Sequence, residues 1–148
     1  MPRIERSATT TWEGNVARGT GSITGETGAF ADLPFSLPTR LGAVAGKTSP
    51  EELLAAAHGG CFAMSLASEL TSAGSPPERL DVQVQIVMDE VPGKGHLVVL
   101  SKVDVAARVP GLDGPRFDAA VAAADAGCSF SALIRATASV DVEARLAS

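Results

Sequence analysis

At 148 residues, 45% apolar and 20% charged, the chain has the composition of one globular domain that can bury its own core. A formal net charge of −5 with no Lys/Arg cluster excludes a phosphate-binding surface, so no nucleic acid partner is expected. The N-terminal "MPRIERSATT" lacks the apolar stretch of a secretory signal, and no run approaches the ~20 apolar residues of a membrane helix, so no membrane partner and a cytoplasmic location are expected.

Residues 8–24, "TTTWEGNVARGTGSIT" at their centre, place β-formers on both sides of a Gly14-Asn15 turn signal and predict a hairpin. Residues 25–48 are rich in Gly, Pro, Ser and Thr and read as loop with short extended pieces. Within them Pro34 and Pro38 exclude a helix and disfavour a central strand. "TSPEELLAAAHGGCFAMSLASELTSAG" is the strongest helix: Ser49 is a candidate N-cap, Pro50 fits the first helical position, and Glu52 completes a capping box. Leu54, Ala57, Cys61, Met64 and Ser68 form one stripe of a cylinder apolar almost all round, which predicts burial almost all round. "DVQVQIVMDE" alternates as a half-buried strand, "VPGKGH" turns, and "LVVLSKVDVAARV" continues as a strand with Val99, Val103 and Val105 on one face. A second helix is expected over 115–126 with Gly127 as its stop, then a tight connection at "CSFSALI". The last strand, "RATASVDVEARL", should turn Ala136, Ala138, Val140 and Val142 inward. Strands joined by hairpins and segregated from helices give an α+β class with a mostly antiparallel sheet around a long buried central helix, as a single domain over 1–148.

The chemistry candidates begin with Cys61, which follows Gly59 and Gly60 inside the apolar helix. Two glycines weaken a helix by roughly 2 kcal/mol against alanine. That cost is explained if a backbone or ligand approaches closely there; otherwise Cys61 is a small buried hydrophobe. Cys128 lies 67 positions later, too far for any recognised cysteine motif. In the cytoplasm both thiols are expected free, metal-bound or redox-active rather than locked in a permanent disulfide. Two cysteines and two histidines at these spacings do not form a zinc set, so no metal or cofactor is expected. His58, three residues before Cys61, shares its helical face and raises a Cys–His nucleophilic pair beside the plainer role of a packed or hydrogen-bonded helix residue. Glu51 and Glu52 complement the helix dipole; Glu52 also fits the capping box, which leaves Glu51 freer for other work.

These stretches resemble the osmotically inducible protein C / organic hydroperoxide resistance (OsmC/Ohr) family. "WEGNVARGTGSIT", "TSPEELLAAAHGGCFAMSLA" and "VPGLDGPRFDAAVAAADAGCSFSALIRATASVDV" stand in the family's order and spacing over nearly the whole chain, closest to the OsmC branch. The resemblance implies a thiol-dependent peroxidase on an intertwined homodimer with active sites at the subunit interface. Cys61 matches the peroxidatic cysteine, Cys128 the resolving one, and Glu51 the acidic partner of an arginine. That arginine is Arg40 by the OsmC pattern, with Arg18 as the alternative by the Ohr pattern. One departure is Ser129, where the family commonly has proline.

A thiol of ordinary pKa is only a few per cent thiolate at neutral pH, and activating it fully gains at most roughly 30-fold. Most of a peroxidase's rate must therefore come from stabilising the departing oxygen, a task suited to a guanidinium held by a carboxylate. The expected cycle passes through a Cys61 sulfenic acid and a Cys61–Cys128 disulfide, recycled by an external dithiol that the resemblance makes lipoyl-type. Leu54, Phe62, Met64 and Phe35 are the expected apolar surround favouring organic hydroperoxides over hydrogen peroxide. Two rival readings share these residues: a Cys61–His58 acyl-transfer enzyme and a non-catalytic thiol switch.

Overall fold

A computed structural model describes residues 1–147 as an α+β chain of six strands and four helices. It divides into two compact units, Met1–Leu53 and the residues from Leu54 onward. In the first unit, β1 (Ala8–Glu13), β2 (Thr20–Gly25) and β3 (Leu33–Phe35) form an antiparallel sheet in that order, followed by the short helix α1 (Leu37–Leu41). The expected hairpin forms, but its connection runs from Gly14 to Gly19 rather than turning tightly at Gly14-Asn15. The Asn15 side-chain oxygen accepts from the N–H groups of Ala17 and Arg18, and the Gly19 N–H donates to the Asn15 carbonyl at 2.6 Å.

The expectation that Pro34 and Pro38 exclude a helix is corrected. Pro38 stands in the first turn of α1, where its missing N–H would have no intrahelical partner. Ser36 and Thr39 cap that turn reciprocally. Pro34 lies in β3, an edge strand where a missing donor is tolerated.

Helix α2 (Pro50–Ser72) starts as expected, with the Glu52 N–H donating to Ser49 Oγ at 3.1 Å. The Glu52 carboxylate, however, accepts from the Thr48 hydroxyl at 2.8 Å, so only half of the capping box forms. By length and composition alone the helix is long and apolar enough to cross a membrane, a property it shares with the core helices of globular proteins. It is also not buried all round: the fully buried residues are His58, Phe62, Leu66 and Leu70, a stripe at four-residue spacing. Met64, expected on the buried stripe, is 76% exposed.

The second unit holds β4 (Arg79–Val91), β5 (Gly95–Arg108), α3 (Gly114–Gly127), α4 (Ser129–Arg135) and β6 (Ser139–Ala147). β4 and β5 pair antiparallel with a register shift at Val87/Met88. β6 does not close a hairpin: it lies parallel to β5, reached through α3 and α4. The expected tight connection at "CSFSALI" is helix α4, with Cys128 at its N-cap. The inward residues of the last strand are Val140, Val142, Ala144 and Leu146 rather than Ala136 and Ala138, because the strand starts only at Ser139. One core joins Phe62, Leu66 and Leu70 of α2 to Val103, Val105 and Ala107 of β5 and to Phe117, Ala120, Ala124 and Cys128. Truncating Phe62 there costs about 3–5 kcal/mol by removed burial and the cavity left.

Candidate functional site

The two cysteines, 67 positions apart, are brought together. Cys61 sits in the fourth turn of α2 and Cys128 at the start of α4, and their sulfurs stand 3.3 Å apart in a hydrogen bond. Both are free thiols; Cys61 is half-buried and Cys128 is 1% exposed. Burial pushes the Cys61 thiol up, and its bond to Cys128 adds to this. The N–H groups of Phe130 and Ser129 oppose the rise without cancelling it. Burial acts upward on Cys128 as well, but the Ser131 N–H and hydroxyl, the Cys61 thiol and the Phe130 N–H outweigh it and bring that thiol below its ordinary value. Within this pair the negative charge is therefore better placed on Cys128.

His58 does not pair with Cys61. Its ring is fully buried, with Nδ1 2.7 Å from the Ser101 hydroxyl and Nε2 2.8 Å from the Ser131 hydroxyl. Burial lowers its pKa, the Asp125 carboxylate pulls it up, and the Arg135 guanidinium pushes it down; the net direction is down. Both ring nitrogens are thus engaged and the ring is held neutral. This removes the base that a Cys61–His58 acyl-transfer centre requires.

The first unit carries the charged pair. Arg40 donates from Nε at 2.8 Å and from Nη2 at 2.6 Å to the same oxygen of Glu51, Oε1, while Oε2 is buried without a hydrogen-bond partner. The Arg18 side chain is exposed, and it is Arg40 that pairs with Glu51. Beside Arg40 lies a pocket of about 180 Å³ walled by Trp12, Val16, Phe35, Leu37 and Pro50, with Ser36 at its edge. It is apolar apart from one hydroxyl and one guanidinium, and the Trp12 and Phe35 rings stand 5.7 Å apart within it.

Of the expected apolar surround, Phe35 lines this pocket. Phe62 instead packs in the core of the second unit and Met64 faces outward. Trp12, Val16 and Leu37 were missed, though a Trp beside a Gly-rich turn in a chain with one Trp was a usable signal. Ser101 and Ser131 were missed because nothing in sequence links them to His58. Among the described residues nothing crowds the two glycines before Cys61: a Cβ on Gly59 would meet Val84 at 3.4 Å, and one on Gly60 would meet nothing within 4 Å. Among the described residues, no three or more His, Cys, Asp or Glu side chains gather as a metal ligand set.

Comparison with known proteins adds three findings. Residues 43–143 match the family described as OsmC-like protein. The chain is 35% identical over 141 residues to Peroxiredoxin OsmC of Escherichia coli (strain K12), covering 95% of this chain and 96% of that protein. Among solved structures, it is similar to an organic hydroperoxide resistance protein OsmC from Legionella pneumophila (24% identity, TM-score 0.70, covering 99% and 100% of the two chains). It is also similar to the organic hydroperoxide resistance protein OhrB of Bacillus subtilis (23% identity, TM-score 0.70, covering 94% and 98%).

Proposed function

This chain belongs to the OsmC-like protein family, and from that premise we propose that it is a thiol peroxidase in which Cys61 attacks a hydroperoxide and Cys128 resolves the product. The observation that carries the reading is the 3.3 Å approach of two free sulfurs on separate helices. About 1.3 Å of closure brings that pair to the ~2.05 Å of a disulfide.

Access and acidity point to different cysteines, and access decides. Cys128 is the better thiolate, but at 1% exposure no peroxide reaches it. Cys61 is reachable, and each unit by which its pKa is raised costs only a factor of ten in thiolate. By the family resemblance an arginine fixed by a carboxylate supplies the positive charge that repays this factor and the donors that stabilise the departing oxygen, and we assign that role to Arg40, which Glu51 holds.

In the cycle, the Cys61 thiolate displaces alkoxide from the peroxide oxygen, and the alkoxide leaves as alcohol once protonated. The Cys128 thiolate then attacks the sulfenic sulfur, water departs, and a disulfide forms. An external dithiol, lipoyl-type by family resemblance, reduces it by exchange. The apolar pocket beside Arg40 supports organic hydroperoxides as the preferred substrates. Two free thiols suit the reducing cytoplasm, where we place the reaction.

The matches span 95% of the chain and support reading 1–148 as one functional domain. A homodimer accounts for the outward stripe Ala56, Gly60, Met64 and Ser68 on α2, where a second copy packs.

Stopped-flow consumption of cumene hydroperoxide and of hydrogen peroxide with a dithiol tests the reading. Fast turnover, faster for the organic peroxide, should vanish in Cys61→Ser and stop after one turnover in Cys128→Ser. A wild-type rate no better than that of the free dithiol overturns it and leaves a reversible thiol switch.

A further inference from the structure

Residues 40–47 are exposed throughout, and Arg40 opens the run. The large apolar side chains within it, Leu41 and Val44, face solvent, so burial does not fix its shape. Yet the Arg40 guanidinium meets Glu51 at 2.6 and 2.8 Å, which demands a fixed backbone beneath it. The hold comes from the two ends. Thr39 and Thr48 flank the run, and both are buried.

The Thr39 hydroxyl lies 3.3 Å from the Thr48 carbonyl and donates across the neck of the loop. It also lies 3.0 Å from the Ser36 carbonyl and accepts from the Ser36 N–H at 2.8 Å, which ties the neck to the start of α1. Its single proton is shared between the two carbonyls. Thr48 carries the tie onward. Its N–H donates to the Pro34 carbonyl of β3 at 2.9 Å, and its hydroxyl donates to Glu52 Oε1 at 2.8 Å. One connected set of bonds thus joins β3, α1 and the first turn of α2. Arg40 follows Thr39 directly, and Glu51 precedes Glu52 directly. The threonine bonds and the Arg40–Glu51 pair therefore span the same gap side by side.

We infer that Thr39 and Thr48 are positioning residues for Arg40: they clasp the neck of its loop and so seat the guanidinium on Glu51 at the wall of the apolar pocket. The kinetic consequence rests on the peroxidase reading; the seating of Arg40 does not.

The first measurement therefore uses no peroxide. The Arg40 Nε–H donates to Glu51, so its signal in heteronuclear NMR spectra, identified by its loss in Arg40→Lys, should exchange slowly with water. Thr39→Val keeps the side-chain shape and removes the hydroxyl. It should speed that exchange about tenfold, the change expected for one hydrogen bond, and Thr39→Ser should restore it. Thr48→Val leaves the cap of α1 intact and breaks the tie to Glu52; it should speed the exchange about threefold.

The second measurement is kcat/KM for cumene hydroperoxide. Thr39→Val should lower it about tenfold, and Thr39→Ser should recover it. In an Arg40→Ala background Thr39→Val should cost nothing further, because it acts only through Arg40. Wild-type exchange in Thr39→Val overturns the inference. So does faster exchange with unchanged kcat/KM, and so does an equal loss of kcat/KM in the Arg40→Ala background. Where Thr39→Val does not fold, Thr48→Val decides on the same two readouts, and wild-type values of both overturn the inference. Absence of peroxide turnover in the wild type, with the exchange changes intact, overturns the peroxidase reading and leaves the clasp standing.

Discussion

Arg40 presents two N–H groups to a single Glu51 oxygen, at 2.8 and 2.6 Å, and Glu51 is the more enclosed partner, its side chain 18% exposed against 42%. A lysine keeps the charge but cannot offer a planar fork, so Arg40→Lys should lower kcat/KM for cumene hydroperoxide about 10- to 100-fold, the loss expected for one or two hydrogen bonds to charged groups. Unchanged kcat/KM would remove Arg40 from the reaction. The second residue with a measurable signature is His58, whose folded pKa lies below its ordinary value because burial, and Arg135 beside it, outweigh the pull of Asp125. The unfolded ring titrates near 6.5, so below that pH the unfolded chain takes up a proton that the folded ring refuses. His58 therefore leaves stability intact above about pH 6.5 and removes it as pH falls from there toward the folded pKa, by at most about 1.4 kcal/mol per unit. Urea midpoints at about pH 7.5 and about pH 5 should show this loss in wild type, and the loss should shrink in His58→Gln.

At the scale of elements, the first hairpin is held by what cannot be added to it. A Cβ on Gly19 would lie 2.4 Å from the Glu13 carbonyl, 2.5 Å from the Asn15 carbonyl and 2.8 Å from the Trp12 ring. Two of these are backbone atoms that cannot swing aside. Gly19→Ala should cost about 1–3 kcal/mol in urea unfolding and raise KM for cumene hydroperoxide, because Trp12 walls the pocket. Gly42→Ala, whose Cβ would meet only the Pro38 carbonyl at 3.8 Å, should change stability by no more than about 0.5 kcal/mol. The long periodic elements were legible in sequence: α2 begins at its expected cap, and β4 and β5 alternate over Arg79–Ile86 and Ser101–Arg108, up to the register shift at Val87/Met88. The short ones were not. Helix α4 has seven residues, too few for a period to declare itself, and its N-cap is a cysteine rather than one of the usual cap residues. The parallel pairing of β6 depends on a crossover through α3 and α4 that no local signal encodes. Periodicity also misplaced the buried face of α2, because a helix apolar on every side offers no contrast from which to choose a stripe. The site divided in the same way. The cysteines and the Arg40–Glu51 pair were readable only through family resemblance, since 67 and 11 positions separate the partners. That His58 is a hydrogen-bonded helix residue was readable, but its partners, 43 and 73 positions away, were not.

At the scale of the whole molecule, the proposed homodimer is tested on the outward stripe of α2. Ala56, Gly60, Met64 and Ser68 recur every fourth residue on the side away from His58, Phe62, Leu66 and Leu70, and Met64 is 76% exposed. A helix this apolar, with small residues along its outer stripe, lets a second backbone come close, and in the proposed homodimer two-fold symmetry sets the same stripe against itself. Met64→Lys would then place two like charges near the axis in an apolar contact and should convert the dimer to monomer in sedimentation velocity at micromolar protein. Gly60→Ala gives the sharper result because its sign differs between the two states. In a lone chain the added methyl meets nothing within 4 Å, so it gains about 1 kcal/mol of helix propensity. Against a second helix the same methyl must be accommodated, so the dimer should dissociate at higher concentration while the separated chain unfolds at higher urea. A Gly60→Ala protein that is more stable and no weaker in self-association would show that the stripe faces solvent, and a monomeric wild type with full peroxide turnover would place the complete reaction within one chain.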